Sequence, residues 1–146
     1  MIAIASDHGG FALKQELIAQ LTKDGVAFED LGTYTEESCD YPVYAEKLGR
    51  AVAAGTYEKG ILICGTGIGI SMAANKIHGV RCALCSDCFS AEMTRRHNDA
   101  NVLAMGGRVL GVELAKRIMN LFLSTPFDGG RHQRRVDQMM ALEAQG

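Results

Sequence analysis

The chain predicts an α/β protein, a three-layer α/β/α sandwich with a five-stranded parallel sheet in the middle. Short apolar runs recur along it, helical patterns separate them, and each run is nearly continuous in apolar residues rather than alternating. Continuous runs are the mark of parallel strands covered by helices on both faces. Repeated strand–helix alternation builds such a Rossmann-like architecture.

The first strand is Ile2–Ala5. A stripe of Leu13, Leu17, Ile18 and Leu21 marks the helix after it, and Gly25 just past its end supplies a stop. Val26–Glu29 is the second strand. Asp40 before Tyr41-Pro42 suits an N-cap with proline in the first turn, opening a helix that runs toward Gly55. Strands at Gly60–Cys64, Arg81–Leu84 and Val102–Met105 precede helices at Ile68–Lys76, Phe89–His97 and Val112–Leu123. The segment from Thr125 to Gly130 breaks the chain, and a last helix covers about Arg131–Ala144. Two prolines and seventeen glycines form no linker, so residues 1–146 read as one domain.

Composition excludes several classes. Fifteen basic against seventeen acidic residues leave a net charge of −2, too little field to hold a nucleic acid. The longest apolar run, Ile61–Cys64, is strand-sized and cannot span a membrane. The N-terminus lacks the pattern of an export signal, and five cysteines is an odd number. Free thiols in a reducing cytoplasm are the expectation.

Ligands of open α/β sheets sit at the carboxyl ends of the strands. The chemistry-bearing segments are Ser6-Asp7-His8-Gly9-Gly10, Cys64-Gly65-Thr66-Gly67-Ile68-Gly69, Arg95-Arg96-His97-Asn98-Asp99, Gly106-Gly107-Arg108 and Arg131-His132-Gln133-Arg134-Arg135. Glycines at 65, 67 and 69 let backbone N–H groups turn toward an anion at a helix start, although a tight turn uses the same residues. A dinucleotide loop needs glycine three after Gly67, where Ile70 stands, so nucleotide binding is the weaker reading. Cys64 precedes this loop, where a helix N-terminus favours a thiolate; a buried cysteine is otherwise only a small hydrophobe. Cys82, Cys85 and Cys88 invite a metal or redox reading. Cys82 and Cys85 point to opposite faces of a strand, however, and no fourth ligand follows, so no metal is expected. His8 and His97 stand beside Asp7 and Asn98 as candidates for proton transfer, whereas His78 reads as a loop residue. Arg131 and Arg135 share a helix face and can clamp a phosphate. Glu92, Glu113 and Glu143 read as solvated charge.

In order and in register with the strands, the chain carries Ser6-Asp-His-Gly-Gly-Phe11, Asp40-Tyr-Pro42, Ile61-Leu-Ile-Cys-Gly-Thr-Gly-Ile-Gly69, Ala73-Ala-Asn-Lys76, Arg96-His-Asn98, Gly107-Arg108 and Gly130-Arg-His-Gln-Arg-Arg135. Over nearly its whole length it resembles the type B ribose-5-phosphate isomerase family, which includes galactose-6-phosphate isomerase subunits. The resemblance implies interconversion of ribose 5-phosphate and ribulose 5-phosphate through an enediolate, with no metal or organic cofactor. It makes Cys64 the base; another branch uses a glutamate of the glycine loop, but the residue after Gly69 here is Ile70. Backbone groups of Gly65, Gly67, Ile68 and Gly69 would steady the oxyanion, and His97 would open the furanose ring. Thr66 and Asp7 would line the sugar site, with Asp7 a partner in ring opening. Asn98 and Tyr41 would hold hydroxyls, and His8, Arg108, Arg131 and Arg135 the phosphate. The resemblance further implies a homodimer, or a dimer of dimers, with active sites at the interface. His97, Asn98 and Arg108 would then enter from the partner of the subunit supplying Cys64. Alternatives are an isomerase of a six-carbon sugar phosphate (allose or galactose 6-phosphate) and a non-catalytic nucleotide-binding module.

Overall fold

The structure is a computed structural model and describes residues 1–145. Five parallel strands form one sheet in the order β2-β1-β3-β5-β4. The central strands β1 (Ile2–Ser6), β3 (Gly60–Cys64) and β5 (Val102–Gly106) are buried throughout. The edge strands β2 (Phe28–Asp30) and β4 (Cys82–Leu84) have three residues each and keep partial exposure. Continuous burial therefore holds in the middle of the sheet and fails at its edges, where a strand has a neighbour on one side only.

Helices α1 (Phe11–Lys23), α4 (Cys88–Asn98) and α5 (Val112–Ser124) cover one face. Leu13, Leu17, Leu21, Ile118, Met119 and Phe122 pack there on Ile2, Ile4, Ile61, Ile63, Leu103 and Met105. Helices α2 (Tyr41–Ala53) and α3 (Ile68–Ala74) cover the other, where Leu48, Val52 and Ile70 meet Ala3, Ala5, Leu62 and Ala104. The strands thus send alternate residues to two cores, the sandwich that the sequence predicts. Helix α6 (Arg131–Ala141) packs on α4 and ends in a 3-10 turn, Leu142–Gln145, rather than continuing as α-helix to Ala144. No helix among the described residues is long and apolar enough to cross a membrane.

Local chemistry explains the boundaries. Gly25 has φ 70°; its N–H donates to the Thr22 carbonyl at 3.2 Å and that of Val26 to the Leu21 carbonyl at 2.9 Å. This left-handed cap stops α1, and because it uses Val26, β2 begins at Phe28. Asp40 does sit at the start of α2, but its side chain makes no capping hydrogen bond. Cys82 packs with one core and Cys85 with the other, as strand geometry requires. Burial pushes their thiols up to about 12 and about 11, so neither is a ready redox group. Glu143 is not a free surface charge: its Oε1 accepts the Gly79 N–H at 2.9 Å.

One buried cation fastens the β2 edge. Lys14 is fully buried, its Nζ donating to Asp30 Oδ1 at 2.6 Å and to the Thr33 carbonyl at 2.5 Å, with the Phe11 and Tyr34 rings 5.5 and 5.4 Å away. Thr33 and Gly32 in turn hydrogen-bond the backbone of Ser6, at the end of β1. Replacing Lys14 by Met leaves Asp30 without its counter-ion and should cost about 3 kcal/mol of stability, read as a lower urea midpoint with unchanged slope.

Candidate active site

The candidate residues fall into two groups on opposite edges of the sheet. At the carboxyl edge, β3 ends in Cys64, which is 5% exposed. Gly67 follows with φ 81°, a left-handed conformation that glycine accepts without strain. The turn aims the Gly67 N–H back at Cys64 Sγ, 3.1 Å away. A backbone donor and the start of α3 thus stand beside that sulfur. The Ile68 N–H donates to Thr66 Oγ1 at 3.1 Å. Gly67 and Ile68 thus direct their N–H groups at the thiol and the turn. The N–H groups of Gly65 and Thr66 have no acceptor among the described residues.

The neighbours of this loop come from three other segments. Asp7 is buried, and its Oδ1 accepts the Gly10 N–H at 3.1 Å, fixing the carboxylate over the turn after β1. A Cβ on Gly9 would stand 3.1 Å from Gly65 N, so the turns after β1 and β3 touch. His8 Nδ1 accepts the Cys39 N–H at 3.2 Å, which leaves Nε2 of the neutral ring as the donor toward a ligand. The Tyr41 ring covers Gly69, where a Cβ would come within 2.7 Å of it. Arg108 extends across Gly65: its N–H donates to the Gly65 carbonyl at 2.9 Å, and a Cβ there would meet its Nη1 at 3.3 Å. Arg108 thus lies beside Cys64 of its own chain, against the expectation that it arrives with His97 and Asn98.

The second group is at the amino edge. Helix α4 runs antiparallel to the strands and ends in His97 and Asn98. The chain then reaches Asn101, whose carbonyl accepts the N–H of Gly60, the first residue of β3. His97 is therefore level with Gly60, and Cys64 lies four residues higher, about 13 Å along the strand. Sequence reasoning grouped both with the carboxyl-end loops, yet an antiparallel helix carries its last residues back to the opposite edge. Asp128 joins this group through its N–H, which donates to the Arg96 carbonyl at 3.0 Å, and Arg131 begins α6 beside it. Arg131 and Arg135 are exposed.

His132 is a member of this group that no motif singles out on its own. Its ring stacks on His97 with centroids 4.2 Å apart and planes within 9°. Desolvation, then the charges of His97, Arg131 and Arg135, hold its pKa below the ordinary histidine value. Only the fold brings the two rings together, although both histidines sit in basic runs. Ligand atoms of His97, Asp128 and His132 lie within 4.8 Å of one another. Arg96 occupies Asp128 Oδ1 at 3.3 Å, and Arg131 and Arg135 flank the rings, so the surroundings suit an anion better than a cation.

Two cavities, each of about 480 Å³, touch neither Cys64 nor His97. One lies at the β4 edge, lined by Arg81, Asn98, Met139, Met140 and Glu143 among others. Around the glycine loop the surface is open and apolar. Ile68, Met72, Leu84 and Phe89 are 47, 63, 42 and 67% exposed. A single chain thus presents two separate groups: a thiol with backbone donors on one edge, imidazoles and guanidiniums on the other.

Residues 2–139 match the ribose/galactose isomerase family. Ribose-5-phosphate isomerase B of Escherichia coli K12 is 52% identical over 142 residues, covering 97% of this chain and 95% of that protein. Among solved structures, Clostridium thermocellum ribose-5-phosphate isomerase B superposes with a TM-score of 0.97 at 48% identity, covering 99% of this chain and 97% of that one. The Mycoplasma genitalium ribose-5-phosphate isomerase B, solved with bound ribulose 5-phosphate, gives 0.94 at 39% identity, covering 99% and 97%.

Proposed function

The chain belongs to the ribose/galactose isomerase family, and from that premise we propose that it interconverts ribose 5-phosphate and ribulose 5-phosphate at sites completed by a second copy of itself. The observation that carries the assembly is the division of the site. Cys64 and His97 leave the sheet at opposite edges, and the two groups they head are chemically complementary. In an isologous dimer the carboxyl edge of one chain meets the amino edge of the other, twice, and two whole sites result. The exposed Ile68, Met72, Leu84 and Phe89 beside the thiol are the kind of surface such a partner covers.

In each site the roles follow from position. The sugar enters as a ring, and the partner's His97 moves the proton that opens it, with Asp7 of the first chain facing the same sugar. The Cys64 thiolate then takes the proton from C2 of the open aldose and returns it to C1; in the enediolate between the two steps the O2 hydroxyl proton passes to O1, so that C2 becomes the carbonyl and C1 the alcohol. Gly65 and Thr66 offer free N–H groups to the charge that develops on oxygen. His8 through Nε2, Arg108, and the partner's Arg131 and Arg135 hold the phosphate, while Tyr41 and the partner's Asn98 bind hydroxyls. No step needs a metal or an organic cofactor.

Purified protein incubated with ribose 5-phosphate and a chelator should produce ribulose 5-phosphate, followed by proton NMR. Conversion of allose or galactose 6-phosphate alone would move the substrate to a hexose. Tight nucleotide binding without turnover of any sugar phosphate would overturn the isomerase reading.

A further inference from the structure

The end of α4 is held in an unusual way. Asp99, the residue that follows Asn98, has φ 47°, the one positive φ outside glycine among the described residues. That conformation is uncommon for a residue with a side chain, Asp and Asn tolerating it best, and a glycine would adopt it freely. The carboxylate of Asp99 is put to use: Arg95 Nη1 donates to Oδ1 at 2.9 Å, and Arg81 Nη2 approaches Oδ2 at 3.6 Å. The Arg81 fork also reaches the backbone. Its Nε and Nη2 donate to the Asp99 carbonyl at 3.0 and 2.8 Å, and Nε also donates to the Asn98 carbonyl at 3.2 Å.

Carbonyls of a last helical turn are ordinarily left to water or to a capping glycine. Here they are tied to a guanidinium that is itself fixed. The Arg81 N–H donates to Asn101 Oδ1 at 2.7 Å, its carbonyl accepts from Asn101 and Val102, and its side chain is 17% exposed. Arg81 therefore connects the approaches to β4 and β5 directly to the helix end that carries His97 and Asn98. It belongs to neither half-site, and its fork is engaged by the carbonyls of Asn98 and Asp99.

We propose that Arg81 is a positioning residue for ring opening, setting the height and direction of His97 by gripping the carbonyls just after it. This rests on the role given to His97 above. Proton transfer to a ring oxygen is sensitive to displacements of about 1 Å, which can cost on the order of a hundredfold in rate. Abstraction of a C1 proton from ribulose 5-phosphate, which is already open, does not need that imidazole. Loosening Arg81 should separate the two rates.

The test compares Arg81→Met and Arg81→Lys with wild type in two assays. One is isomerisation of ribose 5-phosphate; the other is deuterium wash-in at C1 of ribulose 5-phosphate in heavy water. Arg81→Met should lose about tenfold to a hundredfold in isomerisation and stay within about twofold in wash-in. Arg81→Lys keeps the charge without the planar fork and should show most of the same split. If both rates fall in step in both variants, Arg81 is only a structural residue and the proposal is overturned. It is equally overturned if isomerisation is unchanged. A wild-type protein that catalyses neither reaction would overturn the isomerase reading, an outcome distinct from either.

Discussion

Cys64→Ala should fold, bind ribose 5-phosphate and lose at least about a thousandfold in isomerisation, the range expected when a general base is deleted. The loss of structure is small: the sulfur is buried at the end of β3 and its one hydrogen bond is the Gly67 N–H. Binding should persist because, in the proposed site, the phosphate contacts come from His8 and guanidiniums that do not depend on the thiol. Calorimetry with the sugar phosphate separates the two effects. If the same sulfur carries both proton transfers, deuterium wash-in at C1 should disappear together with turnover. Retained full turnover would remove Cys64 from the base role.

His97→Asn should behave differently. Isomerisation of cyclic ribose 5-phosphate should fall about a hundredfold, while wash-in into open-chain ribulose 5-phosphate changes little. Asparagine can still donate a hydrogen bond but cannot relay a proton at neutral pH. Equal losses in the two assays would take His97 out of ring opening. The pair of variants thus assigns one step to each edge of the sheet.

The architecture was largely legible because β1, β3 and β5 are buried on both faces and therefore continuously apolar. The edge strands were less so. β2 starts late because Val26 belongs to the cap of α1, a hydrogen-bonding choice that hydropathy does not register. Cys64, Asp7, His8 and the glycine loop could be placed together from sequence, since all stand at carboxyl ends of parallel strands. The separation of His97 from Cys64 could not be read from those positions alone. It follows from the direction of α4, which returns His97 and Asn98 to the level of Gly60. The expectation that Arg108 joins His97 and Asn98 comes from the resemblance, whereas Arg108 continues from β5, next to β3, and stays beside Cys64. The stacking of His132 on His97 joins residues 35 apart in sequence (132 − 97), and no local pattern announces it.

The opposite-edge arrangement has a genetic consequence. In a dimer that joins a thiol-less chain to an imidazole-less chain, one site inherits both defects and the other inherits neither. Two inactive alleles expressed together should then restore about a quarter of the sites when subunits pair at random. After gene duplication, each copy can lose a different half of the chemistry while the mixed pair remains whole. Selection on such a fold acts on the pair of chains, and a heteromer with divided labour is one mutation per copy away.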